Sequence, residues 1–192
     1  MKWLVITISV ILAVTIVVIL IGYTERTVIN HAESTKLVPL DIKIPKPMFI
    51  TWPQYKDVQN LEKLSSKPRP PFMVPVGTKN VAMGKSVFST DNEPIIGKVE
   101  LITDGDKEAF DSSYVEFGPF LQHVTIDLEV RHNIYAIVIW HYDRQLRAYY
   151  DVIVQVADDS DFITNVSTLF NNEIDNSAGF GIGKDMHYVE TH

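Results

Sequence analysis

His123-Val124-Thr125-Ile126-Asp127-Leu128 alternates side chains with a period of two, so Val124, Ile126 and Leu128 share one face of an extended chain. That face is assigned to a core, and the segment reads as a half-buried β-strand. Downstream, Ile134 to Trp140 is apolar on both faces, with Tyr135, Ile137 and Ile139 on one side and Ala136, Val138 and Trp140 on the other, which predicts a central strand. Lys85 to Ser89, Lys98 to Ile102, Asp151 to Ala157 and Ser167 to Phe170 have similar character. The breaks between these runs carry turn chemistry: Asp91-Asn92-Glu93-Pro94, Asp104-Gly105-Asp106, Gly118-Pro119, Asp158-Asp159-Ser160 and the Asn/Gly-rich stretch from Asn171 to Gly183. Short strands at this spacing, with no amphipathic helix between them, predict an all-β sandwich or jelly roll over 79–192.

The rest of the chain is organised differently. Trp3 to Tyr23 reads WLVITISVILAVTIVVILIGY, uncharged and interrupted only by Thr7, Ser9, Thr15 and Gly22. As a helix rising ~1.5 Å per residue it crosses a hydrocarbon core of roughly 30 Å, so 1–24 is expected to be a transmembrane signal anchor. Its length exceeds a signal-peptide core and no small-residue cleavage pattern follows, although a cleaved signal peptide stays open as the competing reading. Lys2 on the short side places that side in the cytoplasm and the remainder outside, periplasmic or on the cell surface. All ten prolines except Pro94 and Pro119 lie between Leu37 and Pro75, so 25–78 is expected to be an extended proline-rich stalk. Phe49, Trp52 and Tyr55 suggest that part of it packs on the domain.

Composition narrows the function. The 192 residues are 46% hydrophobic, enough for one core, and the formal net charge of -7 argues against a nucleic-acid partner. With no cysteine, disulfides, thiolate zinc sites and cysteine nucleophiles are excluded.

The runs NVAMGKSVFSTDNEPIIGKVELITDGD, SYVEFGPFLQHVTIDLE, IYAIVIWHY and YYDVIVQVADDSDF, taken in this order, resemble the discoidin, or coagulation-factor type C, family of galactose-binding-like domains, in its bacterial form. The resemblance covers the chain from Asn80 onward. It implies an eight-stranded jelly roll that binds a ligand, most often a carbohydrate, through loops at one end. It also implies closing strands beyond the position of His192, so the domain is expected to be incomplete at its C-terminus. In that family the turn corresponding to Thr103-Asp104-Gly105-Asp106 holds a structural calcium ion, and the resemblance puts Asp104, Asp106 and Ser112 among the ligands. The residues fit the chemistry, because a hard cation takes carboxylate, hydroxyl and carbonyl oxygens on a tight turn. An ordinary metal-free Asp-Gly turn stays open as well.

The loop after the Ile134 to Trp140 strand is the candidate ligand surface. His141, Tyr142 and Arg144 combine hydrogen-bonding groups with a ring, the mixture a sugar needs because it presents both hydroxyl edges and apolar C–H faces. A solvated hairpin with Arg144 and Arg147 paired to carboxylates is the plainer alternative. Gly179 to Lys184 lacks the spacing and flanking helix of a phosphate loop. The six histidines form no ligand pair within one element, no serine-hydrolase elbow is present, and Asp127 with Glu129 reads as solvated strand carboxylates. The sequence therefore points to a membrane-tethered extracytoplasmic binding module for a carbohydrate or cell-surface glycan, not an enzyme. Its alternative is a structural domain that positions a protein partner or an attached enzyme without sugar affinity.

Overall fold

The computed structural model describes residues 1–10, 17–24, 36–42, 58–63, 67, 70–108, 110, 113–142, 144 and 147–189. These form an all-β structure of twelve strands: β1 (Trp3–Val10), β2 (Val17–Thr24), β3 (Leu37–Pro39), β4 (Met73–Pro75), β5 (Lys79–Asn80), β6 (Val87–Ser89), β7 (Phe120–Asp127), β8 (His132–Trp140), β9 (Ala148–Tyr149), β10 (Val152–Ala157), β11 (Ser167–Asn171) and β12 (Tyr188–Val189). The larger sheet has the order β11-β10-β1-β7-β6 and a second has the order β5-β2-β8. Both contribute to one apolar core. Leu4 and Ile6 of β1, Val124 and Ile126 of β7 and Val154 and Val156 of β10 are buried in it, with Ile134, Ile137 and Ile139 of β8 packed against them.

The described parts of the segment expected to be a membrane helix, Trp3–Val10 and Val17–Thr24, are β-strands instead. β1 lies between β10 and β7, antiparallel to both, with Ile6 opposite Val154 on one side and Val124 on the other. β2 pairs with β8 from Val17↔Trp140 to Thr24↔His132, and with β5. Among the described residues no helix is long and apolar enough to cross a membrane. The physical reason is legible in hindsight. A central strand is buried on both faces and reads as a continuous apolar run, and β-branched Val, Ile and Thr, which dominate here, fit a pleated sheet better than a helix. Leu4 and Ile6 are wholly buried on the core side, while Val5 and Thr7 are buried on the other face.

The expected core face of β7 is present, with Val124, Ile126 and Leu128 all at or below 1% exposure. β10 is buried along its whole length. Its single polar residue, Gln155, donates through Nε2 to Thr168 Oγ1 of β11 at 2.9 Å. Lys98 to Ile102, expected to be a strand, contains a 3-10 helix over Val99–Ile102. Leu101 N donates to Lys98 O and Thr103 N to Glu100 O, a three-residue repeat that turns Val99 and Ile102 to the core together. Parts of the proline-rich segment are tied down. β3 pairs with β4, and Leu61 bridges to His187, so a free spacer does not describe these stretches. Phe49, Trp52 and Tyr55 lie outside the described residues.

Candidate ligand-binding site

β8 ends at Trp140, and the chain after it meets the loop that follows the 3-10 helix. Two cation–ring contacts and one ring pair join that loop to the end of β8 and the chain after it, and a third cation–ring contact lies within the chain after β8. Lys107 Nζ lies 4.9 Å from the Trp140 ring centroid, Arg144 Cζ 5.1 Å from Phe110, and Arg147 Cζ 5.5 Å from Tyr142. The Tyr114 and Tyr142 centroids are 5.2 Å apart at 56°. Thus the two loops singled out from sequence, the Asp-Gly turn region and the segment after β8, form one surface at one end of the molecule. Phe110 is 49% exposed, whereas Tyr114 and Trp140 are buried.

Tyr114 is held by a close backbone approach. Gly97 has φ +77, and a Cβ there would lie 2.1 Å from the Tyr114 carbonyl oxygen. Only glycine fits both the left-handed backbone and the contact. Ile96 exchanges both backbone hydrogen bonds with Glu116, which fixes the register of this crossing.

The predicted site residues divide into distinct environments. Tyr142 and Arg144 belong to the cluster just described. His141 does not face solvent: at 4% exposure its ring stacks on Tyr149, with centroids 3.8 Å apart, and its Nε2 is 2.6 Å from the Tyr188 hydroxyl. Burial lowers the His141 pKa to about 3, so the ring is neutral near neutral pH and serves as a packed core group. Phe170 meets Tyr188 edge-on and extends this aromatic column into β11. Sequence reading missed the column because Tyr149, Phe170 and Tyr188 come together only through strand pairing.

Asp104 and Asp106 are both exposed. Asp104 Oδ1 accepts from Asp106 N at 2.8 Å and Asp106 Oδ1 from Glu108 N at 2.9 Å, two successive Asx turns. Thr103, buried beneath them, donates to Lys85 O. Ser112 lies outside the described residues. Among the described residues, no three or more His, Asp or Glu side chains are grouped so as to hold a metal ion.

A second depression lies at the other end of β8, ~26 Å away at ~3.3 Å per residue. It encloses about 870 Å³ between the starts of β1 and β8, the end of β10 and the edge strand β11. Its one carboxylate, Asp158, is engaged by Arg131 at 3.3 Å and by the Asn165 side-chain amide at 2.9 Å. A glycosidase needs two available carboxylates across a cleft, and this wall offers one that is already bonded.

No family model, curated protein or solved structure matches this chain.

Proposed function

We propose that the chain is a carbohydrate-binding module of the discoidin-like, jelly-roll type and that it takes its ligand on the two-loop surface after β8. The observation that carries this reading is the contact of an exposed ring with a guanidinium, Phe110 with Arg144. A pyranose places its C–H face on such a ring and its hydroxyl edge against the guanidinium donors. Tyr142, already in contact with Arg147, borders the same surface. His141 is left out of the ligand contacts, and its part is to hold the base of the loop against Tyr149 and Tyr188. Trp3–Val10 takes part in the sheet in this reading, so these residues do not also serve as a membrane anchor.

The alternative of a protein-docking domain draws on scattered exposed apolar side chains, with Phe120 and Ile163 each 79% and Ile182 70% exposed. A glycan array followed by calorimetry separates the two. Wild type is expected to bind a glycan, and Phe110→Ala and Arg144→Ala each to weaken it by about one to two decades, the range for losing a packed ring or a charge-assisted hydrogen bond. Binding unchanged in both variants places the site elsewhere, and no binding to any glycan favours the docking domain.

A further inference from the structure

His187 stands just before β12 and is 4% exposed, yet both of its ring nitrogens meet acceptors. Nδ1 lies 2.9 Å from Gln59 O and Nε2 lies 3.0 Å from Asn172 O. Both partners are backbone carbonyls, which accept hydrogen bonds and never donate them. A neutral imidazole carries one N–H, so it serves one of these carbonyls and turns a bare lone pair toward the other. An imidazolium carries two and serves both.

His187 is also where the long excursion between β3 and β4 is tied back. Residues 59–62 reach it through three hydrogen bonds: Gln59 O accepts from the ring, Asn60 O accepts from His187 N at 2.9 Å, and Glu62 N donates to His187 O at 2.8 Å. Asn60 Nδ2 adds a longer bond to Asp185 O at 3.4 Å. Gln59, Asn60 and Glu62 are exposed, so polar bonds more than apolar burial hold this strap in place. Titratable groups approach His187 from each side. The turn before β10 brings Tyr150, with ring centroids 5.9 Å apart, and Asp151, whose pKa is raised first by burial and then by the charges of Asp175 and Glu173, while His187 acts in the opposite direction. The β11–β12 connection brings Glu173, which accepts from Ser177 Oγ and Ala178 N, and Asp185, which accepts from Asn171 N. The strap itself brings Glu62.

We infer that His187 is a proton-controlled latch: as an imidazolium it fastens residues 59–62 to the β11–β12 connection through Gln59 O and Asn172 O, and as a neutral ring it lets Gln59 O go. The order of release follows from burial. The bond to Asn172 O is buried, where an acceptor without a donor is costly, whereas Gln59 is exposed and water replaces its lost donor. The single N–H of the neutral ring therefore stays with Asn172. The strap is closed at low pH and loosens as pH rises through the titration of the ring, because the proton is part of the bond that is lost. This device does not depend on the sugar reading.

The test uses the whole chain labelled with nitrogen-15. Long-range proton–nitrogen NMR reads the two ring nitrogens of His187 across pH, and amide hydrogen exchange, normalised to the intrinsic rate at each pH, reads the Glu62 amide. Two protonated ring nitrogens are expected while the strap is closed. Glu62 protection should then fall by about tenfold or more at the pH where one nitrogen loses its proton, while amides in β1 and β7 keep theirs. His187→Gln has no titrating ring, and in it the Glu62 amide should be weakly protected with no pH step. The inference is overturned if one ring nitrogen is bare at every pH where β1 and β7 stay protected, if the ring titrates without a change at Glu62, or if the Glu62 step survives in His187→Gln. The first two outcomes are read on the wild type and need no variant to fold.

Discussion

Ile6→Ala tests where the N-terminal run resides. Ile6 is 0% exposed in a central strand, flanked by buried Val154 and Val124 on the neighbouring strands. The change removes three carbons, ~2.4 kcal/mol of transfer free energy at ~0.8 per methylene. The cavity left in a two-sided sheet adds to this, so the expected loss is about 3–5 kcal/mol, near the top of the range for such truncations. For a chain of this size, each kcal/mol moves the thermal midpoint ~2–4 °C, which puts the shift at about 6–20 °C. Ile163→Ala, at a 79% exposed position, is the control and should stay within ~0.5 kcal/mol of wild type. Urea unfolding followed by tryptophan fluorescence and far-ultraviolet circular dichroism reads both variants. In a membrane helix the same Ile→Ala change weakens insertion by under ~1 kcal/mol and leaves the unfolding of the β domain untouched. Coincident midpoints for Ile6→Ala and Ile163→Ala, together with co-sedimentation of the wild type with vesicles, would refute the assignment of Trp3–Val10 to the sheet.

Gly97→Ala should destabilise the domain by ~2 kcal/mol or more and lower glycan affinity, since the new methyl meets the Tyr114 carbonyl and the backbone is left-handed; thermal melts and calorimetry check both. His141 gives a pH dependence of known sign. Its folded pKa, about 3, lies below the unfolded 6.5, so the unfolded state binds the proton first and stability falls as pH drops through the window from 6.5 to 3. The slope from this group approaches ~1.4 kcal/mol per pH unit, and His141→Phe should flatten the urea-midpoint profile between pH 6.5 and 4.5 by that contribution. Asp159 accepts backbone hydrogen bonds from Asp161, Ile163 and Thr164 in the turn before β11. Asp159→Ala should therefore speed amide exchange at those positions while leaving β1 and β7 protected.

The β class and much of the larger sheet were legible because period-two burial is local. Val124, Ile126 and Leu128 declare their face, and β8, β10 and β11 begin and end within two residues of the runs marked in sequence. Lys98 to Ile102 was misread because a five-residue stretch whose apolar members are Val99, Leu101 and Ile102 fits a two-residue and a three-residue repeat about equally well. The candidate site was legible only as two separate loops. Phe110 gave no signal of its own, since its value as a ring depends on Arg144 arriving from the end of another strand.

Composition by itself determined that the chain has a single core's worth of apolar residues, no thiol chemistry and a formal net charge of -7. Tertiary structure alone decided that Trp3–Val10 and Val17–Thr24 are strands. The run from Trp3 to Tyr23 is long enough for one membrane helix or for two strands of eight residues, and both environments select the same uncharged side chains. Local sequence cannot separate lipid from protein interior as the surrounding apolar medium. The difference lies in the hydrogen-bond partners, which for β1 are the backbones of β7 and β10, distant by more than a hundred residues in the chain.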